Sequence, residues 1–296
     1  MTTPTFETIK LEIENGVATL TLNRPDKLNA FNTQMMKEMI ACFDHTDAND
    51  DVKVVIVTGA GRAFCAGADL SSGAATFDYD AQAGGERQAA RTPEGVQRDG
   101  GGLLTLRIYD SLKPVIAAIN GAAVGVGVTM QLAMDIRLAS TEARFGLVFA
   151  RRGINPEAGS SWFLPHLVGI QTALEWCYTG RVFPAQEAFD KGLVRSLHAP
   201  EDLLPAANAL AREIVDNTAP VSVALTRQLI WRNAGATHPM FAHRSDSRGI
   251  HARGRMADAK EGVVSFLEKR PANYPDKVST DLPDIWGDHW EAPTFK

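Results

Sequence analysis

Pro114–Met134 reads PVIAAINGAAVGVGVTMQLAM, 21 residues without a charged side chain, and a run of that length is enough to cross a bilayer as a helix. Its internal punctuation argues for another reading. Asn120-Gly121 is a turn signal, Gly125 and Gly127 stand close together, and Gln131 falls in the second half, so the segment divides into a strand, a glycine loop and a helix. A strand covered on both faces reads as an unbroken apolar run. The same design occurs earlier, where Val52–Val57 (VKVVIV) runs into Thr58-Gly59-Ala60-Gly61 and then Arg62-Ala63-Phe64-Cys65-Ala66-Gly67-Ala68-Asp69. Strands that end in glycine turns, with another strand expected over Asp135–Ala139, predict an α/β protein and no membrane span.

Working outward, Ile9, Leu11 and Ile13 alternate, Asn15-Gly16 supplies a two-residue turn, and Ala18, Leu20 and Leu22 alternate on the way back, which predicts a hairpin. Asn32 is placed to cap a helix carrying Met35, Met36, Met39, Ile40 and Phe43 at helical spacing, a signal that fades at the polar run DHTDANDD. Ser71–Gly102 is rich in Gly, Ala, Gln and charge without a period and reads as a long, mobile loop, the kind of segment that walls or covers a site. Leu104, Ile108 and Leu112 predict a helix before Lys113-Pro114. From Glu201 onward helices dominate, with stripes at Leu203, Ala207, Leu210 and Ile214 and at Val221, Leu225 and Leu229. Pro271–Lys296 reads as an irregular tail, disordered or draped over a surface.

The chain of 296 residues is 45% hydrophobic and 22% charged, the balance of a folded globular protein. Thirty Lys and Arg against 35 Asp and Glu give a net charge of −5, which supplies no general field for nucleic acid or an anionic membrane. Any anionic ligand must be held by local groups. Three cysteines, Cys42, Cys65 and Cys177, with no CxxC pair, exclude a disulfide framework and a four-cysteine zinc site and point to a reducing compartment. The start, MTTPTFETIK, lacks the basic and then apolar pattern of a secretory signal, so a cytoplasmic protein is expected.

Ala66-Gly67-Ala68-Asp69 and Gly125-Val126-Gly127 are the candidates for chemistry. Peptide N–H groups left free at such turns form a fixed dipolar site for an oxygen that develops negative charge, and two converging donors make an oxyanion hole. The plainer reading of each glycine is a tight turn or close packing. Gly59-Ala60-Gly61 invites a dinucleotide fingerprint, but Phe64 stands where the third small residue belongs. Gly159-Ser160-Ser161-Trp162-Phe163 lacks the closing glycine of a serine-hydrolase elbow. The seven His show no HxxxH pattern, and no metal site is expected.

These pieces together resemble the crotonase superfamily of enoyl-CoA hydratases and isomerases. The matching stretches are NRPDKLNAFN (Asn23–Asn32), VVIVTGAGRAFCAGADL (Val54–Leu70), KPVIAAINGAAVGVGV (Lys113–Val128), DIRLASTEARFG (Asp135–Gly146) and FLEKRPANY (Phe266–Tyr274). The resemblance implies a crotonase-like spiral of ββα turns over 1–200, a helical oligomerisation domain over 201–270 and the tail over 271–296. It further implies a homotrimer or homohexamer, no permanently bound cofactor, and a coenzyme A thioester as substrate. The amides of Ala68 and Val126 match the oxyanion donors, with Gly67, Gly125 and Gly127 setting their turns, and Asp69 is expected among the CoA-binding residues. Ala66 matches a position on the adenine side of the CoA site, Arg24 and Lys27 lie in a segment that meets the CoA phosphates, and Lys269 and Arg270 match a C-terminal basic patch. For these four cations a solvated surface charge is the competing reading.

Departures from the family pattern bear most on function. Hydratases of the family use two glutamates, and the matching positions here hold Thr129 and Phe149. Neither is a useful base near neutral pH, so paired-carboxylate hydration cannot run from them. A carboxylate stands eight residues past Phe149, and its segment Asn155-Pro156-Glu157-Ala158-Gly159 resembles the one that carries the catalytic glutamate of Δ3,Δ2-enoyl-CoA isomerases. Glu157 is the candidate base, with Phe149 and Trp162 as apolar pocket neighbours. The alternative is a helix start, with Asn155 as cap, Pro156 at the first position and Glu157 near the positive end. Hydration of a 2-enoyl-CoA by Glu157, or silent acyl-CoA binding, are the competing functions.

Overall fold

Asn15 and Gly16 both take positive φ, 50° and 85°, the geometry of a tight hairpin turn. They join β1 (Ile9–Glu14) and β2 (Val17–Leu22) in antiparallel register, Ile9 opposite Leu22 and Glu14 opposite Val17. The computed structural model describes residues 3–78, 95–287, 290–291 and 293–295. Asn32 caps α1 (Thr33–Ala48), its side chain accepting from Met35 N at 2.9 Å. This helix runs through most of the polar stretch expected to end it. Asp47 is the reason: it is nearly buried and accepts from Arg107 at 2.7 Å and from Leu112 N at 2.9 Å, so polar residues there face protein rather than water.

The chain then alternates between two sheets. β3 (Val54–Gly59) enters the first and β4 (Ala63–Cys65) the second, and α2 (Gly100–Tyr109) follows. β5 (Val115–Ile119) and β6 (Ala122–Val124) repeat the step around Asn120-Gly121, followed by the short α3 (Val126–Thr129). β7 (Ile136–Ser140) and β8 (Arg144–Gly146) repeat it again before α4 (Ser160–Thr179). β9 (Val182–Pro184), α5 (Ala185–Asp190) and β10 (Ser196–His198) complete the sheets. The six-stranded sheet has the order β1-β2-β3-β5-β7-β10 and the four-stranded sheet β4-β6-β8-β9, parallel except for the β1/β2 and β8/β9 pairs. This is the expected spiral of ββα turns. The uncharged Pro114–Met134 segment forms a buried strand, a half-buried strand and a helical turn, and no helix among the described residues is long and apolar enough to cross a membrane.

Strand side chains of one parity, with α1, α2 and α4, build the main core around Phe43, Phe64, Phe145 and Trp176. Those of the other parity, Val54, Ile56, Ile116 and Leu138, pack under Leu203, Ala207, Ala211 and Val215 of α6 (Leu203–Asn217). The stripe expected on α6 is thus the cover of the sheet's second face. Further helices follow: α7 (Pro220–Asn233), α8 (Pro239–Arg253) and α9 (Ala257–Glu268). The tail drapes rather than hangs free over its described part: α10 (Val278–Asp281) contributes Val278, and Ile285 and Trp286 join Val221 and Leu225 of α7 in a third small core.

One buried cation ties α7 to the spiral. Arg227 donates to Asp135 Oδ2 at 2.9 Å, to the Tyr109 and Ser111 carbonyls at 2.6 Å each and to the Ile108 carbonyl at 2.7 Å. Asp135 also accepts from Val115 N and from Trp231 Nε1, both at 2.7 Å. Removing one partner of a buried pair leaves the other charge uncompensated. Arg227→Met is therefore expected to lower the unfolding free energy by about 3–5 kcal/mol, read from the shift of the urea midpoint at unchanged m-value.

Candidate active site

The turn after β4 is held from one side by the segment Asn23–Asn32. Buried Asn29 donates to the Ala60 and Ala63 carbonyls at 2.9 and 2.8 Å and accepts from Arg24 N at 2.8 Å. Ala66 N donates to Leu28 O at 3.0 Å, Phe31 N to Gly67 O at 2.8 Å, and Asp69 N to Phe31 O at 2.8 Å. That pattern is a parallel bridge between Phe31 and Ala68. In such a bridge the flanking residues bond the partner, so the N–H of the central residue, Ala68, points the other way.

On that other side lies the end of β6, the parallel neighbour of β4. A Cβ on Gly67 would stand 3.1 Å from Val124 O, and one on Gly127 would overlap Cys65 O. The two turns are therefore packed backbone against backbone. Gly67 and Gly125 hold φ of 109° and 55°, open to glycine and strained for other residues. Gly125 N is used by Gly146 O at 2.8 Å, and Gly125 O receives Val128 N and Thr129 N. Val126 N, at the start of α3, has no intrahelical acceptor, and among the described residues neither it nor Ala68 N donates a hydrogen bond. Two amides without acceptors among the described residues thus follow the same ends of neighbouring parallel strands, where the sequence placed its candidate oxyanion donors.

Glu157 does not begin a helix. α4 starts three residues later at Ser160, and Asn155 donates to Pro156 O at 2.8 Å instead of capping. Ala158 and Gly159 take successive left-handed conformations, φ 58° and 65°, which turn the chain so that the Glu157 carboxyl faces inward. The Thr129 hydroxyl donates to Glu157 Oε1 at 2.5 Å. Because Thr129 sits in the turn of helix that begins with Val126, this bond ties the acid to the amide loop. Burial pushes the Glu157 carboxyl up to about 8, the Thr129 hydrogen bond pulls against this, and the neighbouring Asp99, hydrogen-bonded to it, adds to the rise.

The other expected residues fall as follows. Ala66 and Asp69 sit half-buried beside Ala68. Arg24 is ion-paired with Asp69 at 2.8 Å and donates to Ala30 O at 2.5 Å, so it braces the turn. Asp69 stays below the usual carboxylate range: burial pushes it up, and the bonds from Arg24 and Ser71 outweigh this. Phe149 is buried in the main core, while Trp162 is 36% exposed with its ring 4.8 Å from that of Phe163. Lys27 is exposed, and Lys269 is exposed at the C-terminal end of α9, apart from the loop elements that build the site. Arg270 is ion-paired with Glu261 and Glu268. Among the described residues no three His, Cys, Asp or Glu gather where a metal would be held.

Two residues of this site were not expected. Asp99 was read as part of the Ser71–Gly102 loop; instead it caps α2, whose first turn is Gly100-Gly101-Gly102. Of that loop, Leu70–Ala75 is a short 3₁₀ segment, and 79–94 lies outside the described residues. An Asp just ahead of a leucine-bearing period is a cap signal, hidden here by three glycines that oppose a helix. Thr129, set aside as a base, serves as a hydrogen-bond donor.

The topology of this spiral is that of a known family of enzymes. The chain belongs to the enoyl-CoA hydratase/isomerase family, whose model matches residues 12–277. It is 39% identical over 265 residues to an enoyl-CoA hydratase of Alternaria alternata, covering 89% of this chain and 84% of the relative. It is 34% identical over 282 residues to 1,2-epoxyphenylacetyl-CoA isomerase of Escherichia coli K12, covering 92% and 100%. The crystal structure of an enoyl-CoA hydratase from Bacillus anthracis superposes with a TM-score of 0.77 at 29% identity, covering 90% of this chain and 99% of that one.

A carboxyl raised from about 4.5 to about 8 binds its proton more tightly in the folded state than in the unfolded state. Stability therefore falls as pH rises between those values. Glu157→Gln removes this dependence, so its melting temperature relative to the parent is expected to rise from pH 5 to pH 8. Parallel pH profiles of the two proteins in differential scanning calorimetry would contradict it.

Proposed function

We propose that this enzyme moves a double bond in an enoyl-CoA thioester, with Glu157 as its single acid/base. The observation that carries the reading is the Glu157 carboxyl, buried, raised in proton affinity and tied through Thr129 to the loop bearing Val126. Glu157 as carboxylate takes a proton from C2 of a 3-enoyl thioester. The thioester oxygen, held by Ala68 N and Val126 N, takes up the negative charge of the dienolate. The same carboxyl group returns the proton to C4, leaving the 2-enoyl thioester and the original carboxylate. No water enters the balance. Each oxyanion donor is worth about 2.7–4 kcal/mol in the transition state, and a base with raised proton affinity is better matched to a carbon acid.

Hydration is the second reading, supported by the similarity to enoyl-CoA hydratases and by Asp99, a second carboxyl beside Glu157. Purified protein given 3-enoyl-CoA and 2-enoyl-CoA in separate assays distinguishes them. The expected result is rapid conversion of the 3-enoyl to the 2-enoyl thioester, and rapid formation of 3-hydroxyacyl-CoA without migration would overturn it. The value kcat/KM should climb with pH toward a limb near 8, since the free enzyme must carry Glu157 as carboxylate. Glu157→Gln should lower kcat by at least about 100-fold while CoA-thioester binding persists. The exposed apolar side chains Ile250, Val263, Phe266 and Leu267 on α8 and α9 suit self-association into the trimer or hexamer expected from the family.

A further inference from the structure

The first turn of α2 is built from three glycines, each of which weakens a helix by about 0.8–1 kcal/mol relative to alanine. Each is explained by what its missing side chain would strike. A Cβ on Gly100 would stand 3.0 Å from the Met36 sulfur, one on Gly102 2.7 Å from Asp99 Oδ2, and one on Gly101 would overlap Glu157 Oε2. The Glu157 carboxyl therefore rests against bare helix backbone. Asp99 closes the arrangement from the helix cap, its Oδ1 accepting from Gly102 N at 2.5 Å and from Ala158 N at 3.1 Å. The second bond secures the left-handed residue that aims Glu157 inward.

We propose that Asp99 and Gly101 are positioning residues for Glu157: the first turn of α2 is the seat of its carboxyl group, and Asp99 fixes that seat from the helix cap. This rests on the reading of Glu157 as the acid/base. Around Glu157, α2 presents Asp99, α3 presents the neutral Thr129 hydroxyl, and β4 presents Cys65, whose thiol burial pushes up to about 12 and so keeps neutral. Asp99 is the one charged group facing it among the described residues. An Asn at 99 can still accept from both amides through its carbonyl oxygen, so Asp99→Asn removes the charge and keeps the bonds.

Titration of the Glu157 carboxyl by ¹³C NMR, its signal assigned by loss in Glu157→Gln, reads the seat without any turnover. Asp99→Asn is expected to lower the midpoint by about one pH unit, a tenfold change in proton affinity. The midpoint should stay above that of an ordinary glutamate because burial persists. Gly101→Ala should displace the carboxyl, lowering kcat for the 3-enoyl thioester about 100-fold with KM little changed. It should also move the NMR midpoint, which keeps the test open if Asp99→Asn fails to fold. Unchanged midpoints in the folded variants would overturn the proposal. Full activity of Glu157→Gln would instead end the acid/base reading while leaving the midpoints to decide the seat.

Discussion

Because β4 and β6 are parallel neighbours, their glycine turns leave the same end of the four-stranded sheet side by side. Everything in the site depends on that pairing. The Phe31 bridge consumes the bonds on one side of the first turn and orients Ala68 N to the other, and Gly125 commits its own amide to Gly146 and leaves Val126 N free. A side chain at Gly67, Gly125 or Gly127 would force the turns apart or strain them. The two amides are thus held in place by the backbone itself.

The carboxyl answers to a different constraint. Burial alone would make Glu157 a poor anion, and the Thr129 hydrogen bond restrains that effect without cancelling it. Ala158 in the left-handed region and the glycine turn of α2 are both locally unfavourable choices. Both make sense as the cost of aiming one carboxyl at the amide loop. Local sequence rules give way where a site must be held in place.

Most of the spiral was legible because its signals are local. The Asn15-Gly16 turn, the Asn32 cap and the apolar runs of β3 and β5 each specify their own conformation. The division of Pro114–Met134 was legible from its turn residues alone. What escaped was nonlocal. Asp47 extends α1 through partners about 60 residues away, α6 finds its partner across the sheet, and the glycines of α2 oppose a helix in isolation. Thr129 has no acid–base use by itself, and its role exists only because Glu157, 28 residues on, folds back onto it. Asn155 has the look of a helix cap, and only the left-handed pair at Ala158 and Gly159 shows that the helix begins later.

On the proposed function, both amides share one thioester oxygen beneath the Glu157 carboxyl. A crystal structure with a bound, non-reacting acyl-CoA analogue measures this directly. The expected result is a thioester oxygen within about 2.7–3.1 Å of both Ala68 N and Val126 N, with a Glu157 oxygen against the C2–C4 segment of the acyl chain. A thioester oxygen bonded to water or to another group, with either amide facing away, would contradict it.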